Sequence, residues 1–195
     1  MASNTRKMST RTMVLGAILT ALVIVLQLMG SFIRFGMFSI SLVLVPIVIG
    51  AATCGVKVST WLGFVFGVVV LASGDAATFL AINVPGTFIT VLAKGTLCGL
   101  TAGLVYKVLE AKNKYVAVIA SAIVCPVINT AVFLIGCCFF FLETVAGWAV
   151  GAGLGDNVAL YMITALVGLN FVFELMTNIV LSPVVVRLLN LRKKQ

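Results

Sequence analysis

The sequence predicts an all-α integral membrane protein built as one bundle of six transmembrane helices, with both termini in the cytoplasm. Three observations predict it. Hydrophobic residues fill 62% of the 195 positions and mean hydropathy is +1.25. Charged residues supply only 9%, against about 25% in an ordinary soluble domain. Six apolar segments can be drawn, near residues 12–33, 39–56, 58–73, 86–107, 115–142 and 158–187.

Each segment has its own signature. The first follows Arg6, Lys7 and Arg11. It is too long for the apolar part of a cleavable signal and no small-residue cleavage site follows it, so it is expected to remain as a span. The second and third are short, near the lower limit for crossing a bilayer. Pro46, Gly50, Gly63 and Gly67 make these two the segments expected to be kinked or irregular, which is tolerated only where protein or a wet cavity covers the backbone. The fourth carries Lys94 beside the run Gly95-x-x-x-Gly99-x-x-x-Gly103, and Gly63-x-x-x-Gly67 repeats that spacing on the third. Small residues so spaced let helices approach closely, and both motifs are expected to serve packing within the bundle. The fifth and sixth are long enough to tilt or protrude. No room remains for a soluble domain: residues 1–195 are expected to form one transmembrane domain, with a basic cytoplasmic N-terminus over 1–11 and a basic cytoplasmic C-terminus over 188–195.

Orientation follows from the loops. With the N-terminus inside, the cytoplasmic face carries Arg6, Lys7, Arg11, Lys57, Lys107, Lys112, Lys114, Arg187, Arg192, Lys193 and Lys194. The outer face carries Arg34 with Asp75, Glu143 and Asp156. This asymmetry is the positive-inside pattern. The net charge of +8 gathers at span ends, where it contacts lipid headgroups and gives no sign of a nucleic-acid surface. Inside connections are tight, while Ser73–Pro85 and Glu143–Asn157 are long outside loops, the second rich in glycine around Trp148. Such loops suit lids over a cavity opening outward, or are plain connectors.

Polar residues inside the spans point to a site. Lys94 and Glu174 are the charges deepest in apolar sequence, and a charge at mid-bilayer costs roughly 3 kcal/mol on insertion scales. Lys94 lies about eight residues, or roughly 12 Å, below the outer end of its span. Asn170, Glu174 and Asn178 fall four apart on the sixth span with Thr177 beside them, and Asn129 sits at similar depth on the fifth. One cation, one anion and several amides could hold a ligand. They could also form a structural Lys94–Glu174 pair with the asparagines joining helices. Asn83 and Trp148, in the two long outer loops, complete the candidate substrate contacts.

Several functions are disfavoured. Five cysteines lie in apolar runs with no CxxC and no histidine, which argues against metal or redox chemistry. No GxxxxGK[ST] occurs, so the chain is not expected to bind ATP itself. Gly151-Ala-Gly153-Leu-Gly155 imitates a dinucleotide turn but lacks the βαβ context. No paired carboxylates or Ser/His set suggests an enzyme.

The whole pattern resembles the substrate-binding S-components of energy-coupling factor (ECF) vitamin transporters. The resemblance rests on Ala17-x-x-x-Ala21 on the first helix, Val45-Pro46-Ile47-Val48-Ile49-Gly50 and Leu62-Gly63-Phe64-Val65-Phe66-Gly67. It continues in Lys94-Gly95 leading to Gly99-Leu100-Thr101-Ala102-Gly103, and in Asn170-x-x-x-Glu174. It is most similar to the pantothenate branch, with riboflavin next, and covers nearly the whole chain. The resemblance implies a six-helix subunit of a prokaryotic plasma membrane that captures a vitamin from outside. Ala17 and Ala21 would dock it onto a membrane coupling subunit driven by two cytosolic ATPases, so ATP is bound by partners and no cofactor by this chain. Lys94 favours a ligand carboxylate, while Glu174 and Asn170 favour hydroxyl or amide donors, all of which pantothenate carries. The other class left open is a self-sufficient transporter or channel using Lys94 and Glu174 as an ion or proton relay.

Overall fold

The computed structural model describes residues 9–31, 34–35, 38–39 and 42–192. Arg6, Lys7, Lys193 and Lys194, counted above among the inside charges, lie outside these residues.

Helix α1 (Thr10–Gly30) begins at Ser9, whose side chain accepts from the Thr12 amide at 3.2 Å. It buries a single stripe, Gly16, Leu19, Val23, Gln27 and Gly30, at the three-and-four spacing of one helix face. Two short strands follow, β1 (Arg34–Phe35) and β2 (Phe38–Ser39), paired antiparallel. Helix α2 (Leu44–Cys54) carries Pro46 in its first turn, where a missing backbone N–H does no harm. Gly55, at φ 87°, joins it directly to α3 (Val56–Ala72) through a backbone shape that glycine adopts without a Cβ clash. The one-turn α4 (Ala77–Leu80) precedes α5 (Val84–Leu109), and α6 (Lys114–Phe140) is capped by Asn113. Helix α7 (Leu142–Gly151), the one-turn α8 (Val158–Tyr161), a π-helical stretch over Met162–Gly168 and α9 (Leu169–Arg192) complete the described residues.

Apart from the short ladder and the connecting turns, the described residues are helical. Among the described residues four helices are long and apolar enough to cross a membrane: α1, α5, α6 and the continuous run Val158–Arg187. Helices α2 and α3 are shorter, at 11 and 17 residues. At 1.5 Å per residue they reach about 16 and 26 Å, against a hydrocarbon core of about 30 Å. The second segment was expected over 39–56, but Ser39 goes into the ladder and Leu42 and Val43 into a turn. Helix α2 is instead central, with Leu44, Ile47, Val48 and Ala51 sealed in the main core.

Two expectations about irregular backbone need correction. Helix α3 is regular through Gly63 and Gly67, because its glycines admit another helix rather than break their own. A Cβ on Gly63 would strike the Gly95 carbonyl oxygen, one on Gly95 the Gly63 carbonyl oxygen, and one on Gly99 the Ser59 carbonyl oxygen. Gly67 would meet the Val91 carbonyl oxygen at 2.9 Å. These pairings run antiparallel, so the two small-residue motifs pack on each other within the chain. The irregularity lies instead in the last segment, in the π-helical stretch. The loop expected over Glu143–Asn157 is also largely helical. Val145 and Ala149, one turn apart, are fully buried in a second core with Phe79, Cys137, Phe141, Tyr161, Met162 and Leu166. That burial holds Leu142–Gly151 as a helix despite Gly147, whose helix penalty is about 1 kcal/mol.

Candidate functional site

The polar residues of the spans converge on one cavity. Its lining comes from α1 (Gln27), α3 (Phe66, Val70), the turn and helix beyond it (Asp75, Ala76, Phe79) and α5 (Thr87, Thr90, Val91, Lys94). Helix α6 and the residue beyond it add Asn129, Thr130, Phe133 and Phe141. The last segment adds Leu166 and Val167 from its π-helical stretch and Asn170 and Glu174 from α9. The π turn immediately precedes Asn170, in the way π bulges recur beside functional residues.

Lys94 lies ten residues into α5, which starts at Val84 rather than Gly86, and so about 15 Å along the helix axis. Its ammonium stands 5.6 Å from the Phe66 ring centroid and 5.5 Å from that of Phe133. Two ring faces hold the cation where it could meet an anionic ligand group. Across the cavity Glu174 is 2% exposed. The Asn170 amide nitrogen donates to its Oε1 at 3.3 Å. Phe79 closes an aromatic wall, edge-on to Phe133 (centroids 5.5 Å), Phe141 (5.0 Å) and Trp148 (5.8 Å).

Four lining residues carry a buried oxygen with no hydrogen-bond partner in the structure: Gln27 Oε1, Thr90 Oγ1, Asn129 Oδ1 and Asn170 Oδ1. A buried acceptor left unmatched costs about 1–3 kcal/mol, so four around one cavity mark a place where a guest's donors belong.

The predicted site residues divide into two groups. Lys94, Glu174, Asn170 and Asn129 line the cavity together. Asn178, Asn83 and Trp148 do not. Asn178 sits one turn past Glu174, is 2% exposed, and donates from its side chain to the Glu174 carbonyl oxygen at 2.8 Å. Asn83 caps α5, its Oδ1 accepting from the Gly86 amide at 2.9 Å. Trp148 backs the aromatic wall behind Phe79. Sequence reasoning missed Gln27 and counted Asp75 only as a loop charge. In the fold the Gln27 amide nitrogen donates to Asp75 Oδ2 at 2.6 Å, and the Ser73 hydroxyl donates to the same oxygen at 3.2 Å. A lone amide in the apolar run of α1 was the available signal, since such groups seek a partner inside the bundle.

Ala17 and Ala21 lie outside the buried stripe of α1 that includes Gln27. Both are exposed, among Met13, Val14, Ile18 and Leu22.

Against known sequences, the family described as "ECF transporter, substrate-specific component" matches residues 11–189. No curated protein and no solved structure matches the chain.

Proposed function

We propose a specific role on the premise that this chain belongs to the ECF transporter substrate-specific components, as the family match over residues 11–189 establishes. It is therefore a multi-pass transport subunit that binds a small molecule, and not an enzyme. Subunits of this family work with a membrane coupling subunit and ATPases. In our reading the cargo is a small water-soluble vitamin captured from outside, pantothenate first and riboflavin next.

The observation that carries this reading is Lys94 set between Phe66 and Phe133 in a cavity that also holds two carboxylates and four orphaned oxygens. A ligand carboxylate would meet the ammonium in a largely dehydrated pocket, where a charge-assisted hydrogen bond is strong. The hydroxyls and amide N–H of pantothenate would meet the orphaned oxygens. The aromatic wall also suits the flat ring of riboflavin.

The same reading places both termini and the α5–α6 turn in the cytoplasm, following the cation asymmetry. The end bearing α4, α7 and α8 then faces outward, and the protein lies in the plasma membrane of a prokaryote with its apolar exterior against lipid. The exposed Ala17 and Ala21 form the face that docks onto the coupling subunit, and two cytosolic ATPases bind the ATP. Titration calorimetry on the purified chain tests the cargo. Saturable pantothenate binding, weakened about 30-fold by Lys94→Ala, is expected. Binding of neither vitamin by the wild type would contradict this choice of cargo.

A further inference from the structure

Two carboxylate–amide pairs face the cavity with the same internal logic. Gln27 on α1 donates from its side-chain nitrogen to Asp75, and Asn170 on α9 donates from its nitrogen to Glu174. An ionised carboxylate only accepts, so each one fixes which end of its amide faces it. The nitrogen is committed to the carboxylate and the oxygen is turned elsewhere. In both residues that oxygen is buried and without a hydrogen-bond partner, and both residues line the cavity. Gln27 itself is 1% exposed.

We infer that Gln27 and Asn170 are specificity-determining residues that accept hydrogen bonds from two O–H or N–H donors on the ligand. Asp75 and Glu174 act as positioning residues that lock the two amides in their acceptor orientation. This rests on the proposed function and narrows it. The ligand carries an anionic group for Lys94 and at least two separate donors for the locked amides. A ligand offering only acceptors would leave both oxygens unmatched and would be rejected, because a site built around buried polar groups discriminates against partners that leave them unpaired.

The test uses pantothenate, its dideoxy analogue with both hydroxyls replaced by hydrogen, and pantothenol, which replaces the carboxylate with an alcohol. Affinities are measured by calorimetry on wild type, Gln27→Met, Asn170→Leu, Asp75→Asn and Lys94→Ala. Wild type is expected to bind pantothenate about tenfold or more tighter than the dideoxy analogue. Gln27→Met or Asn170→Leu should weaken pantothenate more than its dideoxy analogue and so erase most of that preference. Asp75→Asn, which frees the Gln27 amide to turn over, should reduce the preference in the same direction. Lys94→Ala should instead erase the preference for pantothenate over pantothenol. Equal weakening of pantothenate and its dideoxy analogue in Gln27→Met and Asn170→Leu would overturn the inference, since it would make the two amides merely structural.

If wild type binds none of the three probes, the pantothenate reading fails and the inference is judged on the copurifying molecule by native mass spectrometry. It then requires a bound molecule with an anionic group and two donors, depleted in Gln27→Met relative to wild type. A donor-free molecule, or unchanged occupancy in Gln27→Met, overturns it.

Discussion

Helix α5 has two faces that solve opposite problems. One face presents Gly95, Gly99 and Gly103 to α3, where the backbones come so close that a single added carbon on any of them would collide. The other presents Thr87, Thr90 and Lys94 to the cavity. On the glycine face the protein completes its own contacts, carbonyl against Cα. On the cavity face it does not: Thr90 is one of four lining residues with an orphaned buried oxygen. The glycine face is built for stability, since a gap or an intruding atom there is penalised directly. The cavity face retains unmet polar groups at a cost of about 1–3 kcal/mol each, which is the signature of a surface waiting for a partner.

Substitutions on the two faces should therefore separate stability from binding. The largest effect is expected at the glycine face. Gly95→Leu drives a side chain into the Gly63 carbonyl and should destabilise the protein by about 3 kcal/mol, read as lost folded protein in a detergent thermal melt. A melting temperature equal to wild type would show that α3 and α5 can part freely and would break the contrast. A smaller effect, on a third surface, concerns α1. Replacing Ala17 and Ala21 with Leu adds bulk to an exposed face that the cavity does not share. Uptake in cells should fall about tenfold or more while vitamin binding by the isolated chain is retained. Loss of both together would show that the alanines serve the fold. The smallest effect is expected at Asn83. Asn83→Ala removes the α5 cap and should cost about 1 kcal/mol of stability with ligand affinity unchanged. A selective loss of affinity would return Asn83 to the binding site.

Much of this arrangement was legible in the sequence because the signals were local. Unbroken apolar runs located α1, α5 and α6 to within a few residues at each end. The glycine motifs announced close packing, and a four-residue spacing placed Asn170 and Glu174 on one stripe. What escaped depended on partners distant in the chain. Gln27 and Asp75 are 48 residues apart, and neither shows a periodicity that names the other. The glycines of Glu143–Asn157 suggested a loop, but Val145 and Ala149 fold most of it onto Phe79 and Phe141. The π-helical turn before Asn170 has no composition signal, since its residues, Met162 to Gly168, read as one more apolar helix. Asn83 and Trp148 lie in segments that do border the site, yet their side chains serve a helix cap and an aromatic backing. Proximity in sequence to a lining segment did not decide where a side chain points.

The central claim is that Lys94 faces a ligand rather than only balancing Glu174. It is tested most directly by measuring pantothenate affinity and melting temperature on Lys94→Ala, Glu174→Gln and the double variant. The account predicts that Lys94→Ala weakens binding about 30-fold, or about 2 kcal/mol, and that the double variant does not regain affinity. A purely structural pair would behave differently. Each single change would then leave an unbalanced buried charge and lower the melting temperature, and neutralising both would restore it. Unchanged affinity in Lys94→Ala, together with stability rescued in the double variant, would contradict the account.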